Sequence, residues 1–286
     1  TMVSFRYQRN ASSVIEEPFA SLDITSSSEV YTLTLRQPLW RTLSQELALA
    51  LSGEYLRSET LLLGEPFDFS PGTQDGKAAD TALRLMLEWL DRTPSRVLAV
   101  RSRFSLGVDA LGATTNDQAD VPDGRFLAWL GQFQYGRRLG MQDIQLLFRL
   151  DVQLTTDPLL PLEQMAIGGR FSVRGYRENQ LVRDNGLITS LESRLPLVRN
   201  APWAEYVQVV PFVDFGWGWN RKVDTPDPTT LLSIGLGLRW GATWRVGVPL
   251  RTQAEVFWGY KLKDVRTAGG NLQDKGLHLQ FVVSAF

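Results

Sequence analysis

The chain has 286 residues, with 30 lysines and arginines against 31 aspartates and glutamates, which gives a formal net charge of −1. This balance does not favour a nucleic-acid partner. The chain contains no cysteine, which excludes disulfides and thiolate metal sites. Its single histidine, His278, argues against a multi-histidine metal site or a serine–histidine catalytic pair. We therefore expect no enzyme activity, no catalytic residue, no metal and no cofactor.

Apolar and polar residues alternate closely, because 43% of the chain is hydrophobic while its mean hydropathy is only −0.14. No run approaches the roughly 18 consecutive apolar residues of a membrane-spanning helix. The clearest alternation covers residues 142–154, where Ile144 and Phe148 share one face and Arg149 and Asp151 the other. About twelve such segments predict strands, near residues 2–9, 29–38, 43–60, 80–91, 95–110, 124–138, 142–155, 186–197, 204–219, 229–241, 245–262 and 275–286.

Most of these segments are longer than typical soluble strands and match the roughly 9–11 residues of a tilted membrane strand. Their links alternate between short ones, such as 92–94 and 139–141, and long polar ones, such as 110–123 and 263–274. Short periplasmic turns and long outer loops are typical of outer-membrane barrels. The sequence therefore predicts an all-β, transmembrane antiparallel β-barrel with about twelve strands visible.

A soluble β-sandwich is the alternative, because alternation alone does not tell whether the apolar face meets lipid or a protein core. A sandwich rarely needs twelve long strands, however, and the chain has nine tryptophans. Aromatic girdles at both membrane boundaries are typical of barrels. Tryptophans near the predicted strand ends favour the membrane barrel; they are Trp40, Trp89, Trp203, Trp217, Trp219, Trp240 and Trp244.

One connection, residues 157–185, is 29 residues long and departs from the pattern of short turns. Loops of that length are uncommon and are usually functional. It contains a glycine-rich run from Gly168 to Tyr176 that reads Gly-Gly-Arg-Phe-Ser-Val-Arg-Gly-Tyr. Two further motifs follow, Ser-Leu-Glu-Ser-Arg at 190–194 and Phe-Val-Asp-Phe-Gly at 212–216.

These three motifs, in this order, resemble the signature of two-partner-secretion transporters, the TpsB-type haemolysin secretion/activation proteins. That family belongs to the superfamily of BamA-like barrel assembly factors and polypeptide translocases. The run at 177–186 also resembles the TpsB branch in particular. The resemblance extends over the whole chain, and it implies a bacterial outer-membrane location.

The resemblance implies that the long loop folds into the barrel lumen, where Arg174 of the Arg174-Gly175-Tyr176 motif meets acidic side chains on the wall. Alternation independently predicts that Glu192 and Asp214 face the lumen from adjacent strands. Arg174 could then donate charge-assisted hydrogen bonds to one or both carboxylates. We expect glycines to permit sharp turns and close approach of the loop to the wall, at Gly168, Gly169, Gly175, Gly216 and Gly218.

Other candidate residues carry weaker signals. Charged side chains are predicted to line the lumen, where a solvated wall is the simpler interpretation, and His278 is predicted to be only lumen-lining. Phe281 lies on the apolar face of the last strand and Phe286 ends the chain, as in barrels recognised by the assembly machinery. Phe286 falls on the opposite face to Phe281, which departs from the usual pattern. The predicted lumen charges are Glu88, Arg101, Arg103, Arg149, Asp151 and Arg239.

Full-length barrels of the resembled family have sixteen strands, preceded by periplasmic polypeptide-transport-associated domains and a plug helix. Here seven predicted strands precede the long loop and five follow it. Residues 1–286 are thus expected to form one outer-membrane barrel domain, with the first four strands and the periplasmic domains absent. A fragment of a longer chain and a shorter barrel closed with twelve strands both remain open.

The resemblance implies a pore that exports a large partner polypeptide, unfolded in transit. Expected partners are this exoprotein, outer-membrane lipid and lipopolysaccharide, and the barrel assembly machinery during biogenesis, with no nucleic acid. The alternatives are an assembly factor that inserts other barrels, and a passive porin-like pore.

Overall fold

The computed structural model describes residues 1–14, 20–118, 120–140, 142–246, 248–265 and 272–285. Its regular structure is one short 3-10 helix, Ala20–Leu22, and fifteen strands. Twelve strands are long: β1 (Met2–Ser13), β2 (Thr25–Arg41), β3 (Gln45–Leu62), β5 (Lys77–Thr93), β6 (Arg96–Gly107), β7 (Leu127–Leu139), β8 (Ile144–Thr155), β11 (Asn185–Ala201), β12 (Ala204–Trp219), β13 (Thr230–Val246), β14 (Val248–Lys261) and β15 (Leu277–Ala285). Three are short: β4 (Glu65–Pro66), β9 (Met165–Ile167) and β10 (Leu181–Arg183). The twelve long strands confirm the predicted all-β architecture.

The long strands form one antiparallel sheet in which each strand pairs with its neighbours along the chain, from β1 to β15. β8 and β11 pair directly with each other across the long loop, and the short β4 pairs with β3 beside the main order. Among the described residues, β1 and β15 are the two ends of the sheet and do not pair. Both faces of β1 are exposed along its length.

Alternation sorts the side chains onto two faces, as expected for strands with one apolar side. On β5 the outward residues Leu83, Leu85 and Leu87 are 45–49% exposed, whereas the inward residues Ala82 and Arg84 are buried. An outer face of exposed leucine and aromatic side chains needs an apolar surrounding, which a bilayer supplies. The inner face is polar and charged. Its side chains are the buried ones, so the core of the molecule lies in the lumen.

The long connection between β8 and β11 folds against the inner face of the sheet. It is not without regular structure, because β9 and β10 pair as a small antiparallel ribbon. Its residues supply most of one buried apolar cluster, completed by wall residues of β11 and β13; the members are Met165, Ile167, Val173, Tyr176, Leu181, Ile188 and Leu231. The loop is thus packed into the lumen rather than extended from the rim.

The described residues contain no helix with the length and hydropathy to span a membrane. At the C-terminus, Leu279, Phe281 and Val283 are exposed on the outer face and His278 is buried on the inner face, which agrees with the predicted alternation. Phe286, for which a face was also predicted, lies outside the described residues.

Candidate functional site: the lumen loop and its wall

The structure brings Arg174, Asp214 and Glu192 together inside the lumen. The Arg174 Nε and Nη2 atoms donate to the two Asp214 carboxylate oxygens at 2.8 and 2.9 Å, and Nη1 donates to Glu192 Oε2 at 2.8 Å. The Arg174 backbone N–H also donates to Asp214 Oδ2 at 3.0 Å. Arg174 is 5% exposed and Asp214 is fully buried, so these are buried, bidentate contacts of the strong kind.

The register of β11 and β12 builds the acidic wall opposite the loop. Ser190 pairs with Asp214 and Glu192 with Phe212, so that all four side chains face the lumen from two adjacent pairs on that face. Ser190 Oγ donates to Asp214 Oδ1 at 2.6 Å and accepts from Arg174 Nη2 at 3.1 Å. The Asp214 carboxylate thereby receives four hydrogen bonds, which offset the cost of burying its charge.

Two aromatic rings complete the cradle of the Arg174 guanidinium. Its Cζ lies 3.7 Å from the centroid of the Phe212 ring and 4.9 Å from that of Phe257, within the range of cation–π attraction. Burial alone lowers the pKa of Arg174, which lies in the loop outside the strands, but Asp214 and then Glu192 raise this pKa overall. The guanidinium therefore stays charged in its buried site.

Glycines permit the close approach of loop and wall. Gly175 has a φ of +99°, and a Cβ there would lie 2.9 Å from the carbonyl oxygen of Gly259 on β14. A Cβ on Gly216 of β12 would lie 2.4 Å from a methyl carbon of Ile167. Gly168 and Gly169 also have positive φ, at +115° and +97°. Any larger residue at Gly175 would push the loop off the wall.

Tyr176 and His278 hold the residues next to Arg174. The fully buried Tyr176 donates its hydroxyl hydrogen to the backbone carbonyl of Leu232 or Lys263, at 2.9 and 2.8 Å. The Gly175 N–H donates to His278 Nε2 at 3.0 Å. His278 is therefore not merely lumen-lining, as the sequence suggested, but accepts a hydrogen bond from the loop.

Two further arginines of the loop form ion pairs with residues outside it. Arg170 pairs with Glu255 of β14, which Arg239 also contacts at 2.6 Å. Arg177 pairs with Asp274 at 2.6 Å. In the opposite direction, the wall residue Arg149 donates to the loop carbonyl of Phe171 at 2.5 Å.

Most of the predicted lumen charges form ion pairs within the wall. Arg149 contacts Asp151 at 2.6 Å, and Arg101 contacts Glu88 at 3.1 Å. Glu88 also accepts from Arg36 at 2.8 Å. Arg103 is the exception, because its buried Nε atom makes no hydrogen bond to the described protein atoms. The wall is therefore a charge network rather than a set of separately solvated groups.

Sequence reasoning missed several residues of the site. Phe257 lacks a motif, and only its register on β14 brings its ring to the guanidinium. Glu163, in the first part of the loop, contacts the far wall and carries no family signature. The apolar run Leu159-Leu160 beside it was the available signal, because buried leucines in a polar loop indicate a packed segment.

Comparison with known proteins identifies the family of this fold and site. An antiparallel sheet with an apolar outer face, which holds an arginine-bearing loop on its inner face, defines the class of outer-membrane β-barrels with a lumen loop. The family model for "Haemolysin secretion/activation protein ShlB/FhaC/HecB" matches residues 1–240. The chain belongs to this family, which makes it a bacterial outer-membrane protein of the TpsB type.

Two curated relatives are named outer membrane transporter CdiB. The protein from Dickeya dadantii is 30% identical over 162 residues, covering 54% of this chain and 27% of the relative. The protein from Escherichia coli is 27% identical over 137 residues, covering 47% of this chain and 23% of the relative. The match thus spans about a quarter of the length of each relative.

Solved structures share the fold. CdiB from Escherichia coli superposes with a TM-score of 0.72 at 19% identity, covering 99% of this chain and 50% of the other. CdiB from Acinetobacter baumannii gives 0.66 at 18% identity, covering 98% and 46%. BamA from Haemophilus ducreyi gives 0.58 at 16% identity, covering 99% and 59%.

Proposed function

We propose that this chain forms the membrane pore of a two-partner-secretion transporter, and that the Arg174 contacts hold its long loop inside the lumen. Its cargo is a large partner polypeptide that crosses the pore unfolded. Support comes from the family, from the transporter relatives and above all from one observation. That observation is the buried Arg174 guanidinium shared between Asp214 and Glu192.

This arrangement suits a pore whose lumen is blocked by the loop at rest and must be cleared for export. Packed in the lumen, the loop obstructs passage between the two ends of the pore. Beside the loop tip remains a cavity of about 580 Å³, lined among others by Phe171, Arg194 and the turn residue Pro94. A polypeptide that enters the pore at the end where the short turns lie, such as the turn at Pro94, would meet the loop tip first. Export then requires the loop to move, and the Arg174 contacts hold the loop in its resting position.

The two alternatives fit less well. A passive porin needs a steadily open lumen, whereas this loop packs into the lumen in two buried apolar clusters, one with β11 and β13 and one with β5 and β7. An assembly factor is favoured by the shared fold with BamA alone, while the matching family model is that of secretion/activation proteins. A porin would give large, steady planar-bilayer conductance that Arg174 substitutions leave unchanged.

The outer face fits a lipid surrounding, since leucine and aromatic side chains on neighbouring strands are exposed together. We propose that these side chains contact outer-membrane lipid and lipopolysaccharide, and that Phe281 contributes to recognition by the barrel assembly machinery.

Secretion of the partner by an Arg174→Ala variant tests the proposal. Removing the guanidinium leaves two acidic side chains on the wall and detaches the loop tip, so we expect strongly reduced or abolished secretion from a folded barrel. The assay is the amount of exoprotein outside the cells, at equal outer-membrane level of the complete gene product.

Arg125→Ala is the matched control. Arg125 also lies in a loop and forms an ion pair, but its partner Asp123 lies in the same loop, at 2.7 Å, and its side chain is 52% exposed. This variant should secrete normally. If the Arg174→Ala variant secretes as the wild type does although its loop is detached, the proposed role of Arg174 is rejected.

A further inference from the structure

A second buried ion pair joins the long loop to the opposite side of the lumen. Glu163, the seventh residue of the loop 157–185, accepts two hydrogen bonds from Arg84 of β5, at 2.5 Å from Nη2 and 3.1 Å from Nη1. Both side chains are about as buried as those of the Arg174 site, at 5% and 4% exposed. The polarity is reversed, since here the loop supplies the anion and the wall the cation.

The loop segment around Glu163 is itself packed against that side of the lumen. Leu159 is fully buried in a cluster with Ala82 of β5 and two residues at β7, Phe126 and Ala128. The Glu163 backbone carbonyl accepts from Gln153 of β8 at 2.9 Å. Leu160 is 2% exposed. This first segment of the loop therefore packs against β5 and β7, whereas Arg174 is held by β11 and β12.

Arg84 keeps a second set of partners on the wall. Its Nε donates to Glu54 Oε2 at 3.2 Å, and its Nη1 donates to Ser105 Oγ at 2.8 Å. Asp80 also lies near enough to interact electrostatically with Arg84, Glu54 and Glu163.

The wall partners make this contact easier to open than the tip. Arg84 also pairs with Glu54, so its charge stays compensated when Glu163 leaves. When Arg174 leaves its site, by contrast, Glu192 keeps Arg194 but Asp214 keeps no cation, which is costly for a buried carboxylate.

We propose that Glu163 and Arg84 form a second attachment of the loop, which holds residues 157–167 against the β5 side of the lumen independently of the Arg174 tip. Glu163 is a positioning residue for the loop. The proposal rests on the proposed function only in that loop movement belongs to export, because the attachment itself can be measured without any cargo.

Cysteine labelling separates the two attachments, since the chain has no cysteine of its own. L160C reports on the first segment and V173C on the tip, and both positions are buried. A thiol reagent is applied to the complete gene product in outer-membrane vesicles, and the labelling rate follows the population in which each segment is open.

In the L160C background, Glu163→Gln should raise the labelling rate about tenfold or more, the scale expected for losing a hydrogen-bonded charge. In the V173C background it should change the rate by less than about twofold, and Arg174→Ala should give the reverse pattern. Migration of the folded barrel on unheated gels should stay unchanged. Secretion, measured in parallel, is a separate readout that bears on the proposed function alone.

Glu54→Gln is the matched control, because it makes the same change at the other carboxylate bonded to Arg84. It should leave L160C labelling within about twofold of the starting rate. The proposal is overturned if Glu163→Gln does not raise L160C labelling, if Glu54→Gln raises it equally, or if V173C labelling rises together with that of L160C.

Discussion

Two charged regions of the lumen wall differ in what their ion pairs connect. On β11 and β12, Asp214 and Glu192 bind a guanidinium that comes from the loop, and the contact is buried. On β2, β3 and β5, Arg36 binds Glu46 and Glu88, which belong to the wall itself, and these side chains are 20–27% exposed. The chemistry is the same, but burial and connectivity give the pairs different weight.

This contrast indicates that an ion pair fixes the loop only where it is shielded from water and joins the loop to the wall. A partly exposed pair within a sheet contributes little, because water screens it and the strand ladder already holds both residues. A buried pair leaves an uncompensated charge when one partner is removed, at a cost of about 3–5 kcal/mol.

The largest expected effect is that of Asp214→Ala. The substitution removes the carboxylate that accepts four hydrogen bonds, so the free energy holding the loop in the lumen should fall by about 3–5 kcal/mol. The population with an open loop would rise by roughly two to four orders of magnitude. Limited trypsin digestion should then cut rapidly after Arg170, Arg174 or Arg177, since proteolysis follows the open population.

Asp143→Ala is the control for this substitution. Asp143 forms ion pairs with Arg199 and Arg138, but it lies in a turn and its side chain is 46% exposed. Its removal should leave the loop resistant to trypsin. Equal resistance in Asp214→Ala would mean that apolar packing alone retains the loop.

The smallest expected effect is that of Arg36→Gln. It breaks two ion pairs of the wall, yet each is partly exposed and worth about 1 kcal/mol or less. The urea midpoint of unfolding should shift slightly, with no change in trypsin cleavage of the loop and no change in secretion. Loop cleavage as fast as in Asp214→Ala would remove the distinction between the two regions.

The sequence predicts the fold well, because alternation follows directly from the geometry of a strand with one lipid-facing side. The apolar residues of β5 and β8 lie on the side that their spacing indicates, and the twelve long strands lie where the pattern places them. Closure of the sheet could not be read in this way, since pairing between distant strands leaves no periodic signal. The described sheet ends at β1 and β15.

The site is predictable only in part. Arg174, Glu192 and Asp214 carry recognisable motifs, and alternation places both carboxylates on the lumen face. Glu163 and His278 carry none, because their partners are decided by how far the loop folds and where it crosses the lumen. Alternation assigns a side chain to a face but gives neither its depth in the pore nor the loop residue that reaches it.

Hydrogen exchange at the Arg174 and Gly175 amides tests the central claim most directly. Both N–H groups donate to wall side chains, Asp214 and His278, so a loop held in the lumen should protect them about as strongly as the paired amides of β11 and β12. Exchange at the rate of the fully exposed turn residue Leu43 would mean that the loop is not attached to the wall, and would contradict the proposed role of Arg174.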